Sequence, residues 1–364
     1  LAVSDFTSPA WCELQYFFSL SKYGRIQRTA PMKRGSEVHR KLEEEIHDYK
    51  PVEVQTREDS WGLRIWNVIQ GLRTLRYMGV TRELDVWGVI DGQVVAGIID
   101  ELSIQCPDSE FEEKLEVKES PDIPLPSAQQ TITEFFATRS ASERPKQTPP
   151  QDIPAKIYIT DTKTRTTPTV PNGSSLRPVR IQLMIYHHLI MQLSTKSVPS
   201  ASIFARYKLR PLAPFSNTFM AEMSAVEFNI SAQDSHFSSP SSVHSELQNH
   251  PNLESLWNLM LSEFAETFPP GALSPLLHAS FRSQADGTLL GGRSFVNDDS
   301  DLQAYVSDEM DWWKGARQAR GVEVNEAFKC RICEFAEGCQ WRKEKEKELT
   351  TGRGTRRGGK ARDS

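Results

Sequence analysis

The chain has 364 residues, enough for two ordinary domains or for one domain with large insertions. A hydrophobic fraction of 38% lies slightly under the globular norm, so polar stretches dilute an otherwise normal core. The net charge of −5 excludes a histone-like polycation but leaves room for a local basic groove, and no apolar run approaches the ~18 residues of a membrane span. The N-terminus has no signal-peptide core, which argues against secretion, and the start at Leu1 leads us to expect that a leader has been removed. Five cysteines cannot form a disulfide framework for a chain of this size.

Thr7-Ser8-Pro9 predicts a helix start, with Trp11, Leu14, Phe17 and Phe18 at helical spacing and Cys12 on that helix. A second helix is expected from Gly35 to Asp48 and carries His39. A third follows over Trp61–Met78, where apolar residues recur about every third position. From Glu83 to Ile104 the period changes, and two Val/Ile-rich runs flank Asp91-Gly92, a tight-hairpin signal. Cys106 to Asp152 holds seven prolines among Glu, Lys, Ser and Thr clusters, so a disordered insertion is expected. Order resumes with a strand at Lys156–Thr160, then a helix from about Arg180 to Leu193, then a polar loop at Ser231–His250. Leu276–Arg282 and Thr288–Val296 meet at Asp286-Gly287 as a second hairpin. A last helix carries Tyr305, Met310, Trp312 and Trp313, and the tail from Gly352 to Arg362 reads as disordered.

Asp100 closes the run Val94–Ile99, and Asp161 closes the next strand, two residues before Lys163. On a strand, positions i and i+2 face one side, so Asp161 and Lys163 point into one site. Carboxylates suit Mg²⁺ or Mn²⁺, and a neighbouring lysine can orient a water or neutralise phosphate charge. Alone, Asp-x-Lys is more often a solvated strand end. His39 alone is more often a surface residue, and Gln182 and Tyr186, four apart on one helix face, more often packing. Cys330-x₂-Cys333-x₅-Cys339 supplies three thiols and Cys12 a natural fourth. Zinc and an iron–sulfur cluster both suit such a set, and spacing leaves both open, with zinc the commoner outcome. Trp312-Trp313 offers either a base-stacking platform or core packing, and Arg342–Lys347 reads as a solvated helix face.

In order, these pieces are a Gly-x-x-x-His helix, Gly-Ile-Ile-Asp at a hairpin end, Asp-x-Lys on the next strand and Gln-x-x-x-Tyr on the next helix. The order resembles the RecB-like branch of the PD-(D/E)XK nucleases. With Ser8-Pro9-Ala10-Trp11-Cys12 at one end, and Trp312–Arg317 and Lys329–Phe335 at the other, the chain resembles the exonuclease V family. That family is made of single-strand-specific DNA exonucleases holding a 4Fe–4S cluster. The resemblance implies an α/β fold, a mixed sheet flanked by helices. It implies Mg²⁺ (Mn²⁺ as a substitute) on His39, Asp100 and Asp161, with Asp100, Asp161 and Lys163 catalytic. It further implies DNA contacts from Gln182 and Tyr186, to which the groove candidate Arg165 is added as a DNA-binding residue, and a cluster on Cys12, Cys330, Cys333 and Cys339 that joins the two ends of the chain. A 5′ direction follows from fungal members of the family.

The expected organisation is 1–105 for the N-terminal helices and first part of the nuclease core, 106–152 for the insertion, 153–328 for the rest of the core, 329–342 for the cysteine segment and 343–364 for the charged tail. The family usually has a short hairpin between its two acids, whereas about 60 residues intervene here, as expected of an insertion at the hairpin tip. Basic groove candidates are Lys163, Arg165, Arg177, Arg180, Arg206, Lys208 and Arg210. Cys106 falls outside the pattern as a free thiol. Gln129, Ile132, Phe135 and Phe136 fit Gln-x-x-Ile-x-x-Phe-Phe, which resembles a sliding-clamp interaction box and points to a nuclear partner, while fungal relatives point to mitochondria. A monomer is expected. The rival functions are a non-catalytic iron–sulfur DNA-binding scaffold and a nuclease of CRISPR adaptation, whose chains are much shorter.

Overall fold

The computed structural model describes residues 1–24, 52–119, 155–224 and 246–357, with the side chains of 117–119 and 351–357 excepted. Along the chain run α1 (Ser4–Thr7), α2 (Glu13–Tyr23), α3 (Arg57–Met78), β1 (Val80–Ile90), β2 (Gln93–Ser103), α4 (Ser109–Glu119), β3 (Ile157–Arg165), a 3-10 turn at Gly173–Leu176 and α5 (Arg177–Ser194). There follow α6 (Ser200–Arg206), α7 (Leu253–Thr267), β4 (Leu273–Ser283), β5 (Leu289–Val296), α8 (Asp299–Trp313), a second 3-10 stretch at Val324–Ile332 and α9 (Gln340–Arg357).

The five strands form one sheet in the order β1-β2-β3-β4-β5. Only β3 and β4 run parallel; the other neighbours are antiparallel. The β1–β2 hairpin turns at Asp91 (φ 48°) and Gly92 (φ 73°). Two successive left-handed residues are what a two-residue hairpin turn requires, and Asp-Gly supplies them at little cost. α3 starts on a capping box in which Thr56 and Asp59 exchange side-chain and backbone bonds, and it ends on Gly79 in the left-handed region. α5 is the central helix. Nine of its residues are buried, and it packs against β1, β3, β4, α1, α7 and α8. On the other side of the core, α3 packs on α7, and Trp61, Trp87 and Trp257 meet with ring centroids 5.5 and 5.9 Å apart. The mixed sheet with flanking helices is the α/β architecture expected from the sequence.

Four local expectations need correction. The first helix does not start at Thr7-Ser8-Pro9: α1 ends at Thr7 and α2 begins at Glu13, with Cys12 extended at its N-cap. The buried Asp5 carboxylate organises this break, accepting from Ala2 N (2.8 Å) and from Tyr16 Oη (2.8 Å). α4 lies inside the stretch expected to be disordered. Asp108 Oδ1 accepts from Phe111 N (3.1 Å) at its start, and Glu112 takes Tyr158 Oη (2.5 Å) and Lys156 Nζ (3.1 Å). The C-terminal tail is helical as far as Arg357. Within the expected polar loop, residues 246–249 are helical, and Glu246 holds Arg73 through two bonds of 2.7 and 2.8 Å. The Gly35–Asp48 helix lies outside the described residues.

Candidate active site and thiol centre

β2 and β3 pair for only three steps, ending at Glu101↔Thr160. The next pair in that register is Asp100 and Asp161, so the two acids stand opposite each other where the strands part. Asp100 Oδ2 accepts from Thr162 N across the gap (2.7 Å). On the β1 side, pairing is interrupted at the same step. Arg82↔Glu101 and Leu84↔Ile99 are paired, and between them Glu83 takes a left-handed φ of 51°. A non-glycine residue held there inside a strand is strained backbone, and it sits opposite Asp100.

Asp161 is fully buried, and Lys163 lies over it with Nζ 2.8 Å from Oδ1 and 2.7 Å from Oδ2. The contact to Oδ2 is an ion contact only, since that oxygen is buried without a hydrogen bond. Loss of solvent pulls the Lys163 pKa down, but the Asp161 and Asp100 carboxylates outweigh it and hold the ammonium above its ordinary range. Tyr186 on α5 completes the arrangement. Burial, then the charge of Asp161 and later Asp100, pushes its phenol well above the usual tyrosine range, while Gln182 Nε2 donates to its oxygen at 3.1 Å. Gly97 of β2 makes room for the ring: a Cβ there would lie 2.7 Å from Tyr186 Cε1. The structure therefore brings Asp100, Asp161, Lys163, Gln182 and Tyr186 together. Arg165 lies two residues beyond Lys163, its Nη2 3.3 Å from Thr167 Oγ1 and its Nε buried without a partner. His39 lies outside the described residues, as do Gln129, Ile132, Phe135 and Phe136.

Of the other groove candidates, Arg177, Arg180 and Arg210 are engaged in ion pairs with Glu326, Asp301 and Glu58, and Arg206 lies over the Tyr207 ring. Trp312 and Trp313 are half-buried against Tyr16, with centroids 6.1 and 6.2 Å from it, and so form no open platform. Arg342 and Lys345 pair with Glu346 and Glu348 along α9, as a solvated face should.

Near the N-terminus of α5, where Arg177 meets Glu326, the chain's two ends come together. Cys12, Cys330, Cys333 and Cys339 line one open hollow, walled by Trp11, Leu14, Phe18, Val322, Phe335 and Trp341. Burial raises the Cys12 pKa first, and the charges of Cys333, Cys330 and Cys339 raise it further. The four thiols therefore feel one another. Among the described residues, no three His, Cys, Asp or Glu side chains close on a single metal ion. Cys106 stands apart, bonded with Glu112 and Tyr158 and raised mainly by burial. Two residues at these sites had no role assigned from the sequence: Glu83, opposite Asp100, and Lys329, which opens the Lys329–Phe335 segment and lines the hollow. Only the register and the packing reveal what they do.

The profile of a family described as exonuclease V, a 5′ deoxyribonuclease, matches residues 1–342, a range that takes in both acids, Lys163 and all four clustered cysteines. The class is thus that of a DNA-degrading hydrolase acting from an end. The chain belongs to the exonuclease V family. It is 23% identical over 347 residues to Exonuclease V of Danio rerio, covering 94% of this chain and 70% of that protein. It is 22% identical over 422 residues to Exonuclease V, mitochondrial, of Candida glabrata, covering 94% of this chain and 80% of that one.

Proposed function

We propose that this exonuclease hydrolyses single-stranded DNA from a 5′ end with Mg²⁺ at the Asp100/Asp161 site, on a PD-(D/E)XK core stapled by a 4Fe–4S cluster. The observation that carries the proposal is the placing of Asp100 and Asp161 across the strand fork just beyond the Glu101↔Thr160 pair, with the charge of both acting on Lys163. Two facing carboxylates suit a hard divalent cation, and His39 would be the third ligand. When bound, the cation supplies Lewis-acid activation of the phosphate and of a water.

The chain's own groups do the rest. Asp100 is fixed by the Thr162 amide, so its second oxygen keeps its direction. Lys163 holds Asp161 and presents a cation where the attacking water and the phosphate charge must be oriented. Gln182 fixes the Tyr186 hydroxyl beside both acids, facing the scissile nucleotide, and Arg165 continues the strand of cations for the DNA backbone.

For the thiol centre, four cysteines that share one hollow suit a 4Fe–4S cluster, the reading that the resemblance to the exonuclease V family favours over zinc. The mitochondrial name of the Candida relative supports an intracellular, mitochondrial role. The clamp-like box at 129–136 supports a nuclear one, in replication, recombination or repair. We take the protein to act as a monomer.

The test is cleavage of 5′- and 3′-end-labelled single-stranded and duplex oligonucleotides with and without Mg²⁺. Short products from the 5′ end of the single strand are expected. Asp100→Asn, Asp161→Asn and Lys163→Ala should each lose at least about a hundredfold in rate while retaining single-strand binding. Wild-type rates in these variants would refute the site. Duplex cleavage at equal rate would refute the strand preference alone.

A further inference from the structure

One charged side chain, Lys329, is built into the wall of the thiol hollow, and Glu326 and Arg177 are linked to it from outside that wall. Lys329 is 2% exposed and Glu326 is 5% exposed. The Lys329 ammonium donates to the Trp11 carbonyl (3.0 Å) and to Glu326 Oε2 (2.7 Å), and it lies 4.8 Å from the Trp11 ring centroid. Glu326 also receives both terminal nitrogens of Arg177, the first residue of α5. Trp11 precedes Cys12, and Lys329 precedes Cys330. The ammonium carried by the residue before Cys330 thus grips the residue before Cys12, across a sequence separation of 318.

A buried lysine is expensive to desolvate, and an apolar side chain of the same length would fill the space at lower cost. What the apolar chain could not supply is direction. Edge-on packing of Trp11 and Phe328, with centroids 6.5 Å apart, tolerates sliding, whereas two hydrogen bonds from one buried nitrogen fix the offset of the segments.

We propose that Lys329 is a positioning residue that locks the Cys12 segment against the Cys330 segment before any metal arrives, with Glu326 and Arg177 tethering the lock to α5. This deepens the cluster assignment, and its metal-loading arm rests on it. The full-length chain is stripped of metal anaerobically and treated with iodoacetamide, and the alkylation rate of each cysteine is followed by mass spectrometry. Lys329→Met should speed alkylation of Cys12 by at least about tenfold, as expected when one partner of a buried ion pair is removed. Cys106, held by Glu112 and Tyr158 outside the hollow, should react at its wild-type rate. Glu326→Gln keeps the Trp11 bond and should give a smaller rise at Cys12. In the loaded protein, Lys329→Met should release iron to a chelator on the order of tenfold faster. An unchanged Cys12 rate overturns the lock, and so does equal acceleration at Cys106, which would mean general unfolding. Wild-type protein that takes up no iron, yet shows the Lys329 effect on Cys12, would overturn the cluster and support the lock.

Discussion

Glu309, on α8, shows how one buried carboxyl shapes the response to pH. It is 4% exposed, and its Oε2 has no hydrogen-bond partner. Burial first, then the Glu13 charge, push its pKa up to about 8, with Arg317 opposing, Asp308 adding and the Tyr305 bond opposing weakly. An unfolded glutamate titrates near ~4.3, so between that value and about 8 the folded state holds the extra proton. Stability conferred by this group therefore falls as pH rises through that window and levels off above it. Glu309→Gln should raise the melting temperature more at pH 8 than at pH 5, and equal shifts at both would contradict the assignment. Gly97 is a second sensitive position, since a Cβ there meets Tyr186 on one side and Val3 Cγ2 on the other, both at 2.7 Å. Gly97→Ala should cost about 1–3 kcal/mol by overpacking and slow cleavage beyond its effect on melting, because the ring beside the acids must move. Side-by-side melts and single-turnover rates check this. The i, i+2 relation of Asp161 and Lys163 was legible from strand period. The facing of Asp100 and Asp161 was not, because about 60 residues separate them and no local pattern encodes register across such a gap.

Among the elements, the hairpin and the long helix over Trp61–Met78 announced themselves because turn chemistry and apolar period are local. Asp91-Gly92 makes the turn that its two residues allow, and Thr56 with Asp59 starts α3 four residues ahead of the apolar repeat. Asp59 does more than cap, since it also accepts from Ser216 N (2.9 Å) and Ser216 Oγ (2.8 Å). Thr56→Ala should cost about 1 kcal/mol in urea unfolding, whereas Asp59→Ala should cost several times more by stranding buried donors. Neither should alter single-strand binding. α4 was invisible in composition because little in its own sequence stabilises it. Its support comes from Tyr158 and Lys156 on β3, and Asp108 at its start also takes Ser294 Oγ of β5 at 2.6 Å. Cys12 was misplaced for a related reason: the helix-start signal at Thr7–Pro9 is real chemistry, but tertiary bonds to Asp5 decide the break.

At the scale of the molecule, the two ends of the chain are structural neighbours. Val3 N bonds to Ala96 O on β2 (3.0 Å), and Leu14 N bonds to Arg320 O (3.0 Å). The proposed cluster should make the anaerobically purified protein brown, with broad absorption near roughly 400 nm. Cys12→Ala should bleach it and Cys106→Ala should not, and a colourless protein with stoichiometric zinc would overturn the cluster.

The bond from Lys329 to Trp11 spans 318 residues, and that has a consequence for synthesis. A ribosome working at about 5–20 residues per second needs on the order of 15–60 s to pass from Trp11 to its partner. Through that interval Cys12 has been made and none of its three companions exists. Assembly of the proposed cluster is therefore a late event, open only to a chain translated past Cys339. A product cut short anywhere between the second acid and the cysteine segment would carry Asp100, Asp161 and Lys163 and yet lack the means to close on itself.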